Sequence, residues 1–475
     1  MMRAPVSAGG VAIVGGGISG LAAAFELARA GREFTLFEAS ERLGGTIETV
    51  RTQGFVVECG PDSWITEKPW ARDFALELGL GDQILFSNDS NGHPRTTYLL
   101  HQGRLVPMPD GMRMMVPGRL EALEGSPLFS RQAIEAYLRE PGRAADLKAS
   151  APASDESVAS FVRRHFGEEV TRTVAAPLLS GVFGGDIELL SVRAVMPAFV
   201  TMEAEHGSLI AALEKRLRPA QVSEPIFSSF NGGMATLTEA IVAELPPGAL
   251  HLAAPVKSLR QDGSAWQIAT ARGELRAESL MLATPAAVTR GLLQSMGQRE
   301  AKRMSELLPR RSSSSIVVAL GFDGAEAAGM EIPRGFGFLV PPPPPEATDP
   351  RLLACTFVDQ KFFRRAPAGG VLLRAFFGGA AATALQPEPD DLLAGIVRKQ
   401  LAEILGPLPP HLFAVVRRLP DSLPQYEVGH LERIGELESL ARAYRGLHLI
   451  GNAYHGVGVS DLIRAGRAAA CAILS

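Results

Sequence analysis

Apolar and polar positions give the chain three successive textures. Near the start, the apolar run VAIV (11–14) leads into glycines, then an apolar-rich segment with helical spacing (18–30), then a second apolar run, FTLFE (34–38). Strand, helix and strand are predicted in that order, a βαβ unit whose natural setting is a doubly wound α/β sheet. From about 90 to 220 the pattern becomes helical, with Pro and Gly between segments such as RQAIEAYLRE and DESVASFVRRHFGEEVTRTVAAPLL. An inserted, mostly helical domain is expected there. After Phe227 the alternation of strands returns. HLAAPVKSLRQDGSAWQIAT reads as a hairpin turning at Asp262-Gly263, while SSIVVALGF and VLLRAFFGG predict a second sheet. GLHLIGN reads as a buried strand followed by a glycine-rich loop and a helix from about Asp461 to Ile473, which are expected to rejoin the first sheet. Pro341 to Pro345 form a stiff extended loop, because proline offers no backbone donor to a ladder. No internal repeat is present.

At 475 residues the chain is long enough for two or three domains. Its 46% apolar and 21% charged residues suit a soluble globular protein. A net charge of -4 supplies no field for nucleic acid, so no nucleic-acid partner is expected. Cys59, Cys355 and Cys471 lack disulfide or zinc spacing, and the nine histidines are dispersed; no metal is expected. The glycines and charges between Val11 and Ala30 suit a strand, turn and helix better than a signal peptide, so the mature chain is expected to start at or near Met1. No apolar run reaches the ~18 residues of a membrane span.

Gly15-Gly16-Gly17-Ile18-Ser19-Gly20 matches GxGxxG between a predicted strand and helix. The glycines allow a tight turn and close approach of a pyrophosphate, and the helix N-terminus offers oriented N–H groups. Glu38 closes the next strand, 18 residues after Gly20, where a carboxylate can accept from both ribose hydroxyls and would repel a 2′-phosphate. A dinucleotide is therefore expected, and NADP is disfavoured.

The residues after Glu38 decide between NAD and FAD. Ala39-Ser40-Glu41-Arg42-Leu43-Gly44-Gly45-Thr46 gives an ExxxRLGG pattern that resembles the flavin-binding signature of the amine oxidase and porphyrinogen oxidase superfamily. That resemblance implies that Arg42, Gly44 and Gly45 continue along the cofactor phosphates toward the flavin. The glycine-rich segment 451–461, opening the last helix, would aim N–H groups at the flavin pyrimidine and stabilise the reduced ring.

From about Val11 to Ala470 the chain resembles the protoporphyrinogen oxidases, oxygen-dependent FAD enzymes of haem biosynthesis. The marks are FVVECGPDSW (55–64), LLSGVFGGDIELLSVRAVMPAF (178–199), FNGGMATL (230–237), LATPA (282–286), GFGFLVP (335–341), LPQYEVGHLERI (423–434) and HLIGNAYHGVGVSDLIRAG (448–466). The resemblance implies a Rossmann-type FAD-binding domain (1–90, 227–285 and 440–475), a mostly helical and membrane-facing insertion that includes part of the substrate region (91–226), and a substrate-binding α+β domain (286–439), with segments of the domains interleaved. It also implies non-covalent FAD. Gly60, Pro61, Asp62 and Ser63 would lie along the flavin, Val256 would bind adenine through its backbone, and Val457, Gly458 and Val459 would close the site. Gly181 would present its carbonyl to the substrate, and Phe336 and Phe376 would clamp the tetrapyrrole. Where some members have a propionate-binding arginine before the residue matching Tyr98, this chain has Thr97; Arg95 is the nearest replacement.

The implied reaction removes six hydrogens from a porphyrinogen in three FAD-dependent rounds, with O₂ reduced to H₂O₂. Positioning and exclusion of water are the protein's tasks, and no side-chain acid or base is assigned. Protoporphyrinogen IX is the favoured substrate, with coproporphyrinogen III as the alternative, since MPDGMRMMVP (108–117) resembles a segment of relatives acting on the latter. Amine oxidation is poorly supported by 3 Trp and 5 Tyr, too few for a well-supplied aromatic cage. A flavin-containing porphyrin carrier needs the same cofactor site and stays open. A cytoplasmic location is expected, with LVPMPDGMRMMVP (105–117) offered as a peripheral membrane rim. A ferrochelatase partner and a homodimer are further expectations.

Overall fold

The computed structural model describes residues 10–88, 96–216, 225–342 and 349–475. Five parallel strands form a first sheet in the order Leu250–His251, Phe34–Phe37, Val11–Val14, Ser279–Leu282, Leu447–Leu449. The apolar run Val11–Val14 is buried throughout, as a central parallel strand covered on both faces must be. One face carries the helices Ile18–Arg29, Ala235–Ala243 and Val459–Leu474. The other is covered by Trp266 of a separate three-stranded sheet and by the helices Ala286–Ser295, Arg299–Leu307 and His430–Ala441. In that small sheet Asp262 pairs with Ala265, so Gly263 and Ser264 make the turn, one residue later than expected.

A second sheet of seven strands runs Phe413–Pro424, Ser312–Phe322, Val371–Gly378, Ala354–Phe357, Gly337–Leu339, Thr97–His101, Arg104–Pro107. The helix Asp390–Leu405 covers one face. Phe55 and Val57 of the first domain pack on the other, against Ala319 and Leu372. The expected domain boundaries shift in two places. Thr97–Pro107 belongs to this sheet rather than to the helical insertion, because Thr97–Leu99 pairs in parallel with Gly337–Leu339. Residues 286–308 and 430–441 belong with the first sheet, because their apolar faces fill its core.

The helical lobe runs from Leu120 to Arg216 and buries Tyr137, Phe161, Phe166 and Met202. Gly167, with φ +83°, kinks the long helical stretch predicted from 155 onward, and Ala176–Phe183 then continues as a separate helix ending at Gly184 in the left-handed conformation. The segment offered as a membrane rim turns part of its apolar surface inward. Met115 and Val116 are buried in the lobe's core, and Met108, Met112 and Met114 pack against it, so these thioethers fill irregular gaps. Among the described residues no helix is long and apolar enough to cross a membrane.

Candidate cofactor and substrate site

The glycine loop joins Val11–Val14 to the helix Ile18–Arg29, whose N-cap is Gly17 with no side-chain hydrogen bond. Its first N–H groups are thus left to a ligand. Gly20 permits the approach of helix to strand, since a Cβ there would lie 2.0 Å from the Gly15 carbonyl oxygen. Gly17 differs: a Cβ would meet nothing nearer than the Gly45 Cα at 4.0 Å and would project into open space. That space is a cavity of about 540 Å³ whose walls include Gly15, Gly17, Ile18, Ser19, Glu38, Ala39, Gly44, Gly45 and Thr46. Val256 lines it too, with Asn452 and Leu462 from the C-terminal segment. Bare backbone at a helix N-terminus, beside an oriented carboxylate, fits a nucleotide.

Glu38 is held ready before any ligand arrives. Its Oε2 accepts from the Gly16 N–H at 2.8 Å, and its Oε1 accepts from the Ser40 N–H and hydroxyl, each at 2.8 Å. A carboxylate has about four acceptor sites, so capacity remains for a ribose diol. Gly16 therefore orients Glu38 and is not itself part of the cavity wall. Arg42, expected along the phosphates, is not among the residues lining the cavity. It donates to the carbonyls of Leu43 (3.2 Å), Gly45 and Ile47 (3.0 Å) and pairs with Glu48 at 3.2 Å, bracing its own loop.

Gly60 lies against the Thr46 wall, and none of Gly60 to Ser63 lines the cavity itself. Arg374 donates to the Gly60 carbonyl, and Asp62 is held by Lys361 at 2.9 Å and by Arg374 at 3.4 Å. Burial alone would raise the Asp62 carboxyl, but these two cations outweigh it and hold it well below the usual carboxylate range. Pro61 lies between the two anchored residues. Gly458 caps the last helix, Val459–Leu474, again without a side-chain bond, and the Lys68–Asp461 pair at 2.5 Å ties its first turn to the chain after Ser63. Val457 immediately precedes this cap.

Two of the expected substrate residues come together. A Cβ on Gly181 would lie 3.0 Å from Leu339, and register aligns Leu339 with Ala354 and Phe376 on one face of the second sheet. Gly181 and Phe376 are therefore on the same side. Phe336 is half-buried just before the strand Gly337–Leu339, its N–H donating to the Thr96 carbonyl and its carbonyl accepting from the Phe357 N–H at 3.0 Å. Arg95 lies outside the described residues.

Sequence reasoning gave no role to the 425–430 stretch. Tyr426 donates to the Asn452 carbonyl at 2.6 Å, accepts from the Gly456 N–H at 3.0 Å and stacks on His430 with ring centroids 3.9 Å apart. Burial pushes the His430 imidazole down to about 4, so the ring is neutral, and it meets the Tyr454 carbonyl at 2.8 Å. These contacts shape the glycine-rich loop opposite Gly15. The LPQYEVGH motif was the available signal, but it carried no geometry.

The family model of flavin containing amine oxidoreductases matches residues 18–474. The chain is 34% identical to the coproporphyrinogen III oxidase of Bacillus subtilis, over 97% of this chain and 96% of that protein. It is 31% identical to the protoporphyrinogen oxidase of Bos taurus, over 98% of each. A crystal structure from Exiguobacterium sp. 255-15, provisionally assigned as a protoporphyrinogen oxidase, is similar with a TM-score of 0.83 at 30% identity, covering 98% of this chain and 99% of that one. Putrescine oxidase, 18% identical with a TM-score of 0.68, shares the fold.

Proposed function

The chain belongs to the flavin-containing amine oxidoreductase family, among its porphyrinogen oxidases, and from that premise we propose that it holds FAD non-covalently and oxidises a porphyrinogen to the porphyrin with O₂. The observation that carries this reading is similarity running the length of the chain to two porphyrinogen oxidases, 34% and 31% identical. The higher of those identities belongs to a coproporphyrinogen III oxidase, so coproporphyrinogen III is proposed as the preferred substrate, ahead of the protoporphyrinogen IX favoured by sequence reading.

Bound FAD supplies the acceptor for each of three electron pairs, with O₂ as the final oxidant. The chain's own residues do the rest by placement. The N-terminus of Ile18–Arg29 would hold the pyrophosphate, Glu38 would accept from the ribose, and Val256 would border the adenine. Gly60 to Ser63 and the cap at Gly458 would hold the ring from two sides. Gly181 and Phe376 provide one wall for the macrocycle, whose orientation relative to the flavin is the protein's main catalytic contribution.

Porphyrin fluorescence developed in air by purified holoprotein, on coproporphyrinogen III and protoporphyrinogen IX side by side with no-enzyme controls, tests the proposal. Faster enzyme-dependent fluorescence from coproporphyrinogen III is expected. A preference for protoporphyrinogen IX would reverse the substrate order, and no enzyme-dependent product from either would reject the function.

A further inference from the structure

Five ionisable side chains are buried together where residues 58–62 meet the second sheet: Glu58, Asp62, Lys361, Arg365 and Arg374, with side chains 1, 15, 10, 0 and 5% exposed. Three cations face two carboxylates. Lys361 Nζ lies 2.9 and 3.1 Å from the two Asp62 oxygens and 3.5 Å from the Ser63 hydroxyl. Arg374 reaches Asp62 at 3.4 Å, donates to the Gly60 carbonyl and lies over the Phe376 ring at 4.7 Å. Its Nε, like Nε and Nη1 of Arg365, finds no hydrogen-bond acceptor among the described residues.

Such a cluster is costly. Buried ion pairs seldom stabilise more than apolar residues of the same volume, and an excess cation adds a desolvation cost with no return. Its location supplies the return. A Cβ on Gly60 would lie 1.8 Å from the Thr46 carbonyl oxygen, and Thr46 lines the cofactor cavity, so the anchored segment backs directly onto the cavity wall.

We propose that Lys361 and Arg374, pinned on Asp62, are positioning residues that fix Gly60–Ser63 along the flavin and bias it toward its reduced, negatively charged form. The inference rests on the FAD reading above. Removing a positive charge lowers the affinity for reduced relative to oxidised flavin, and removing a negative charge raises it.

The test is a spectroscopic redox titration of bound FAD in the wild-type holoprotein and in Lys361→Met, Asp62→Asn, the double variant and Lys361→Arg. Lys361→Met is expected to weaken reduced relative to oxidised FAD on the order of tenfold. For a two-electron couple that is a midpoint lower by about 30 mV. Asp62→Asn shifts it the opposite way, the double variant returns close to wild type, and Lys361→Arg restores the wild-type value. A purely structural role would move both single variants in the same direction; that result, or shifts below about twofold in both, overturns the proposal. If Lys361→Met yields no folded holoprotein, Asp62→Asn decides alone: an upward shift supports the proposal, and a downward or absent one overturns it. No porphyrinogen is used, so unchanged potentials overturn this inference alone, failed porphyrinogen oxidation overturns the function alone, and a wild-type protein that binds no FAD overturns both.

Discussion

Replacing His165 by Gln would remove the cation that two carboxylates share in the core of the helical lobe. The ring is fully buried, with Nδ1 2.9 Å from Glu140 and Nε2 3.0 Å from Glu203. Both nitrogens face acceptors, which calls for the doubly protonated imidazolium. Burial opposes that charge, but the hydrogen bonds to Glu140 and Glu203 outweigh it and raise the pKa above the ordinary histidine value. The other groups facing the site are Arg164, which binds Glu156 and Glu203, and the start of Leu209–Arg216, where Glu140 accepts from the Ser208 hydroxyl and the Leu209 N–H. Removing one partner of a buried pair costs about 3–5 kcal/mol. Each unit by which the folded pKa is raised contributes about 1.4 kcal/mol. Because the folded pKa is the higher one, this stabilisation is complete below about pH 6.5 and is lost as pH rises through the folded value. Hydrogen exchange followed by mass spectrometry, on peptides spanning 158–170 and 197–215 and corrected for intrinsic rates, reads the local opening free energy. In the wild type it should fall from pH 6.5 to 9. In His165→Gln it should start several kcal/mol lower at pH 6 and stay nearly flat across that range. Equal protection in both proteins at pH 6, or the same pH dependence in both, would refute the reasoning.

Gly20→Ala places a Cβ 2.0 Å from the Gly15 carbonyl oxygen, so the purified variant should lose FAD by more than about tenfold while the helical lobe keeps its exchange protection; stoichiometric flavin absorbance would contradict this. Cys59 is buried, with burial first among the causes that push its thiol up to about 11, and Cys355 is also buried and raised, whereas Cys471 is exposed. Iodoacetamide on the folded protein at pH 8 should therefore label Cys471 alone. Labelling of Cys59 at a comparable rate would show that the residues around it open readily.

Much of the first sheet was legible because its signals are local. VAIV, the glycine loop and FTLF lie consecutively, and their burial follows directly from their apolar runs. Side-chain partners far apart in sequence were not legible. Asp62 and Lys361 are 299 residues apart, and His165 lies 25 and 38 residues from its two glutamates. No periodicity connects them. Arg42 shows a different limit: its motif was recognisable, but the bonds of its guanidinium to the carbonyls of its own turn were not. Thr97–His101 was not legible as a strand of the second sheet, because its pairing with Gly337–Leu339 is decided by that sheet and not by the residues around Thr97.

The most direct measurement is anaerobic rapid mixing of the wild-type holoprotein with coproporphyrinogen III, following flavin absorbance and then admitting O₂. The account predicts substrate-dependent bleaching of the oxidised flavin band within the enzyme's turnover time, recovery of that band on oxygenation, and growth of porphyrin absorbance in step. Binding of the porphyrinogen with no bleaching would contradict it and leave the chain a flavin-containing carrier.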